Sequence, residues 1–165
     1  MKIINKIQVI DWLSGRNILC GNNSLSIPDF AILHSFKIAS DSGTKTNISR
    51  AIGAFVANCS CESLLWINEY GIWPSCEDAN LFNGFRRSLG ENEPVYIKPG
   101  HLFRIEDIDN IQSIIAMILY FVWGAFIVTE SKDIVIRISH DEYIDIYSNK
   151  DIDVSFIKNL CEAEQ

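Results

Sequence analysis

His101, in "KPGHLF", and His140, in "SHDEYI", are the side chains of this sequence best suited to move a proton near neutral pH, because imidazole titrates there without help. His101 follows a Pro-Gly turn that can present a side chain in a fixed direction. His140-Asp141-Glu142 is the one place where a histidine and carboxylates adjoin. Brought into one pocket, His101 and His140 would supply a general base, with a carboxylate beside it to orient the ring. Adjacency alone does not make that arrangement, since consecutive residues of a helix or strand project in different directions. A histidine beside a turn or cap is more often a structural group. No nucleophile elbow G-x-S-x-G, P-loop, dinucleotide glycine pattern, H-E-x-x-H or EF-hand loop occurs, so no reaction type is indicated. The leading reading is a protein that is not an enzyme and needs no cofactor. The alternative is a small enzyme or ligand-sensing domain built on His101 and His140.

A second group of residues suits recognition better than catalysis. In "EYGIWPSCEDANLFNGFRRSLGE", Pro74 places Trp73 at a corner between a strand and a helix, because proline cannot continue a central strand. Ser75 reads as an N-cap, with Asp78 completing a near capping box. Glu77 and Asp78 sit at the positive end of the helix dipole, and Arg86 and Arg87 at its negative end, where basic side chains are usually solvated. Leu81, Phe82, Phe85 and Leu89 form the apolar face, and Gly90 stops the helix. Folding therefore explains most of this stretch and leaves Trp73, Glu77 and Asp78 as one candidate partner-binding corner. Asp141 and Glu142 extend it, at what reads as a helix start. Trp66, Trp123, Tyr70, Tyr96 and Tyr120 fit a core better than an aromatic pocket.

The net charge of −7 over 165 residues is uneven: residues 1–50 carry +3 and residues 51–165 carry −10. Such a field repels phosphate backbones, which argues against nucleic acid as partner. It suits a basic protein instead. Cys20, Cys59, Cys61, Cys76 and Cys161 are odd in number and include C-x-C, not C-x-x-C. They read as buried thiols in a reducing cytoplasm, with no metal site. The beginning of the chain shows no secretory signal pattern. The uncharged run from Ile111 to Thr129 is long enough to cross a bilayer. Gln112, Ser113 and the Trp123-Gly124 interruption favour a buried helix followed by a buried strand.

These pieces need elements to hold them. Residues 1–13 read as a short helix and "GNNSLSIPD" as a loop. "FAILHSFKIA" reads as a strand. A helix follows "DSGTKT", with Ile48, Ile52, Phe55, Val56 and Cys59 on one stripe. "SLLWINEYGIW" is strand-like, and a short strand precedes an apolar helix capped by Asp107 or Asp109 and ending near Phe121. "GAFIVTES" and "DIVIRIS" form a hairpin. "SHDEYIDIYS" carries a helix start, S-x-x-E, and a strand-like alternation; the helix is preferred. The sum is one α/β (α+β) domain over residues 1–165, a mixed sheet of about five strands with helices packed on it.

The ordered motifs "GIWPS", "PGHLF", "WGAFIVT" and "SHDEYI", across about residues 62–148, resemble a family of small, mostly uncharacterised bacterial proteins that includes immunity-type proteins accompanying secreted toxins. The resemblance carries no catalytic assignment. It implies a cytoplasmic binding protein that neutralises a cognate toxin by surface complementarity. The residues themselves, not the resemblance, point to Trp73, Glu77, Asp78, Asp141 and Glu142 as contacts, and leave monomer and homodimer both open. A third possibility is a structural subunit that self-associates through the apolar 114–128 region.

Overall fold

The computed structural model describes residues 1–21, 24–26, 32–59, 62–131 and 133–162. Its strands are β1 (Lys2–Ile4), β2 (Leu19–Gly21), β3 (Ser24–Ser26), β4 (Ile32–Lys37), β5 (Ser63–Glu69), β6 (Gly100–Phe103), β7 (Gly124–Thr129), β8 (Ile134–Ile138) and β9 (Tyr143–Ser148). Its helices are α1 (Lys6–Ser14), α2 (Ser42–Cys59), α3 (Ala79–Ser88), α4 (Ile108–Phe121) and α5 (Ser155–Glu162). Among the described residues, seven strands form one sheet in the order β1-β6-β5-β7-β8-β9-β4, and β2 pairs with β3 apart from it. Every pairing is antiparallel.

The sheet is covered unequally. On one face, Ile48, Ile52 and Val56 of α2, Ile111, Ile114, Ile115 and Ile118 of α4, and Ile157 of α5 pack on Leu65, Ile67, Ile127, Ile136, Ile144 and Ile146. Burying each such side chain contributes about 1.5–3 kcal/mol. On the other face, Val9 and Leu13 of α1 and Leu25 of β3 cover Leu64, Trp66, Phe126, Val128 and Val135. A central strand between two such layers has no polar side, and β7 is buried at all six positions. That explains the uncharged run from Ile111 to Thr129: a buried helix turns into a strand buried on both faces. Among the described residues, no helix is long and apolar enough to cross a membrane.

Several expectations from sequence need correction. Among the described residues the main sheet has seven strands, not about five, and it is antiparallel rather than mixed. The short β1 lies inside the segment expected to be helical, and α1 begins only at Lys6, where the Asn5 and Gln8 side chains close a capping box. Within the expected loop, the paired strands β2 and β3 bring Leu25 into the core; residues 22–23 and 27–31 lie outside the described structure.

Residues 143–148 are strand β9, not a helix. Ile144 and Ile146 take the helix-covered face, while Asp145 bonds to Ser35 and Arg137 across the sheet. The S-x-x-E signal instead marks a turn: Glu142 N–H donates to the Ser139 carbonyl, and Glu142 adopts φ 62°.

The α3 cap is Asp78, which accepts from Leu81 N–H at 2.8 Å, not Ser75. The Gly90 stop is as expected, at φ 87°. Arg86, expected to be solvated, is buried, whereas Arg87 is exposed. Finally, most of the 114–128 region is core rather than a self-association surface: Ile114, Ile115, Ile118, Leu119, Phe121, Trp123 and the residues Ala125 to Val128 are all buried.

A cleft formed by three chain corners

Three corners of the chain meet beyond one end of β5, β7 and β8. The first is the loop between β5 and α3. Its turn closes where Cys76 N–H donates to the Trp73 carbonyl at 2.9 Å. The Glu77 carboxylate then accepts from Gly71 N–H at 2.8 Å and from Trp73 N–H at 2.9 Å. With its backbone tied, the loop holds Trp73 outward at 49% exposure, with Tyr70 and Ile72 at 40% each. The Tyr70 ring rests edge-on against Trp123, 6.1 Å between centroids.

The second corner is the passage from α4 into β7. Val122 ends the helix at φ 55°, ψ 44°, and Trp123 N–H donates to the Ile118 carbonyl. A β-branched residue in this left-handed region is strained, by on the order of 1–2 kcal/mol.

The third corner is the turn from β8 to β9. His140 Nδ1 lies 2.8 Å from Glu69 Oε2, and its Nε2 lies 3.6 Å from Asp141 Oδ1. Glu142 reaches the buried Lys45 ammonium at 3.2 Å. The Asp141 side chain is 68% exposed.

Trp73, Cys76, Val122, His140, Asp141 and Glu142 line one open cleft of about 360 Å³. Two of the three non-glycine residues with positive φ among those described, Val122 and Glu142, stand in its wall. Backbone strain held by surrounding structure tends to gather where a surface is used.

The structure thus brings Trp73, Asp141, Glu142 and His140 together. Glu77 and Asp78 do not line the cleft; their carboxylates accept from the loop backbone and from the α3 terminus. His101 is elsewhere. It lies on β6 opposite Leu65, and β5 and β7 stand between it and β8. At about 4.8 Å per strand that is roughly 14 Å sideways, and His101 does not line the cleft. The ring is fully buried, with its edge toward Phe82 at 6.3 Å. Burial first, then the Arg86 guanidinium, push its pKa down to about 3, against a smaller upward pull from the main chain of Leu65 and Pro99. It is a neutral core group, and it forms no acid–base pair with His140.

Arg86 shares that interior. Its Nη2 donates to the Lys98 carbonyl at 2.7 Å, while Nε and Nη1 have no hydrogen-bond partner. Burial lowers its pKa to about 10, with Glu91 opposing the shift.

Glu69, Cys76, Val122 and Lys45 belong to the site without having been singled out in the sequence. Glu69 is 71 residues from the histidine it orients, so spacing gives no hint of it. Gly124 carries the only signal. A Cβ there would fall 2.3 Å from Glu69 Oε2, and a glycine inside a strand marks such a close approach. Cys76, expected to be buried, is exposed.

Among the described residues, no three His, Cys, Asp or Glu side chains are placed to hold a metal ion. What the cleft offers is an indole wall and the carboxylates of Asp141 and Glu142, with Tyr70 and Ile72 exposed on the same loop as Trp73. That combination suits a cationic or amphipathic group of a protein surface. Compared with protein-family models, with curated proteins and with solved structures, the chain gives no match.

Proposed function

We propose that the protein is an immunity-type binding protein that neutralises a cognate secreted toxin by direct contact, without chemistry of its own. The contact surface is the corner of Trp73, Asp141 and Glu142, flanked by Tyr70, Ile72 and His140. One observation carries this reading: a half-exposed tryptophan on a tied-down loop shares a cleft with the exposed Asp141 and the half-buried Glu142 at a strained turn. Rigid aromatic anchors surrounded by charge are what hot spots of protein interfaces are made of. The exposed Asp141 carboxylate, on a chain of net charge −7, speeds the approach of a basic partner and contributes to the salt dependence of binding. Glu77 and Asp78 support the surface by fixing the Trp73 loop and the start of α3.

This reading expects the neighbouring gene to encode a large secreted protein, and the test is co-purification with the C-terminal domain of that gene's product, followed by calorimetry. Trp73→Ala is expected to weaken binding at least about tenfold. The double variant Asp141→Asn, Glu142→Gln is expected to flatten the salt dependence. Binding that is unchanged in both variants overturns the assignment of this surface, and absence of any complex with that domain overturns the immunity reading.

A further inference from the structure

The two edges of the main sheet differ. β1 closes one edge with three residues. β4 closes the other with six, Ile-Leu-His-Ser-Phe-Lys, containing neither proline nor carboxylate. In the β4–β9 ladder the paired residue numbers fall in constant register, from Ile32 opposite Ser148 to Lys37 opposite Tyr143. One step further, Ile38 N–H donates to the Glu142 carbonyl at 2.8 Å. Hydrogen-bonded pairs alternate in an antiparallel ladder, so the even-numbered residues of β4 spend their main-chain groups on β9. The N–H and C=O groups of Leu33, Ser35 and Lys37 point outward. Among the described residues, none forms a hydrogen bond with those groups. Leu33 is also 56% exposed on the open face.

We propose that β4 is a dimerisation edge, pairing antiparallel with β4 of a second copy about a two-fold axis through Ser35. Side chains opposite each other in a sheet share a face. A two-fold pairing therefore joins residues of equal parity, and centring it on Ser35 aligns the outward-pointing set with itself. Ser35 then faces Ser35, and Leu33 faces Lys37 at both ends. All outward donors and acceptors of the strand are matched in six main-chain hydrogen bonds. No like charges oppose each other, because Lys37 meets Leu33 and β4 carries no carboxylate, even though each chain is acidic overall. On the helix-covered face, His34 comes opposite Phe36, extending the His34–Phe36 stack already present within the strand at 6.4 Å. The result is one sheet continuous across two copies. A long unguarded edge is otherwise a liability that folded proteins block with prolines, bulges or charge. β1 cannot take this role, since three residues offer too little edge. The edge is distinct from the Trp73 cleft, so the proposal does not rest on the toxin-binding reading.

Sizing with light scattering over a range of protein concentrations is expected to show a dimer. Leu33→Pro removes an outward N–H without touching the ladder to β9, and is expected to weaken dimerisation at least about tenfold while circular dichroism stays native. Register is tested by mild oxidation of Ser35→Cys and Lys37→Cys, each compared with the parent chain. Across the axis, two residues at position 35 lie about 5.5 Å apart at Cα, within disulfide reach. Two at position 37 are separated by four residues of stagger, roughly 13 Å, and are not. Covalent dimer formed by Ser35→Cys well above both the parent and Lys37→Cys supports the proposal. A monomer at every concentration overturns it, as does a dimer in which the two cysteine variants cross-link alike.

Discussion

His101 and His140 look interchangeable in the sequence, each beside a turn and each within reach of charged neighbours. In the fold they mark two opposite kinds of region. His101 lies fully buried among Phe82, Arg86 and the β5 and β6 backbones, where burial and the guanidinium keep it neutral. His140 sits at a turn between two carboxylates, in the wall of an open cleft. The residue type is the same; depth decides whether it serves stability or an interface. In the interior, His101 and Arg86 keep side-chain nitrogens without hydrogen-bond partners, so the fold is sensitive to their charge and removal. In the cleft the polar groups are paired with one another, His140 with Glu69 and Glu142 with Lys45, and Asp141 stands in solvent. The two regions should respond differently to mutation, and three measurements set them apart.

The largest effect belongs to Arg86. It is wholly buried, donates to Lys98 and leaves two nitrogens without partners. Arg86→Ala removes a large packed stem and orphans the Lys98 carbonyl, and is expected to cost about 3 kcal/mol or more in urea unfolding. Arg86→Met keeps most of the stem without a buried charge, and should recover much of that loss. A loss under about 1 kcal/mol for Arg86→Ala would place the stability of this region elsewhere.

His101 comes next, and its effect depends on pH. Its folded pKa of about 3 lies below the unfolded value near 6.5, so the unfolded chain binds the proton more readily. Its contribution is fully present above about pH 6.5 and is lost as the pH falls toward 3. The slope approaches 1.4 kcal/mol per pH unit in that window. Between pH 7 and pH 4.5 the parent should lose about 2 kcal/mol more stability than His101→Gln. Parallel losses in the two proteins would mean that the ring takes up a proton without unfolding.

How much of this was legible depends on the range of the interactions involved. The α2 stripe, the α4–β7 passage and the β7–β8 hairpin follow from local periodicity, because each buries a face that the sequence alternates by itself. β9 does not. Ser139 and Glu142 imitate a helix start, and only pairing with β8 and β4 favours the extended form of Tyr143 to Ser148. The sequence pattern puts the α3 cap at Ser75 with Asp78 inside the first turn; the cap falls at Asp78 instead because Glu77 ties the loop over residues 71–73 and delays the helix. Of the candidate site, Trp73 was visible through Pro74, and Asp141 and Glu142 through their adjacency. Glu69 and Val122 were not, since what brings them to the cleft is the β5–β7 pairing and the direction in which α4 ends.

The smallest effect should also have the opposite sign. Val122 holds a left-handed backbone at the end of α4, a position that glycine or asparagine fills without strain. Its side chain is only half-buried and forms cleft wall rather than core. Val122→Asn is therefore expected to stabilise the protein, by about 0.5–1 kcal/mol. In the interior, by contrast, Arg86→Ala lowers stability. The strain at Val122 then reads as a cost carried by the fold to shape this surface, and the same variant should bind the partner less well. If Val122→Asn lowers stability by about 1 kcal/mol or more, the valine is held by packing, and the cleft belongs with the interior after all.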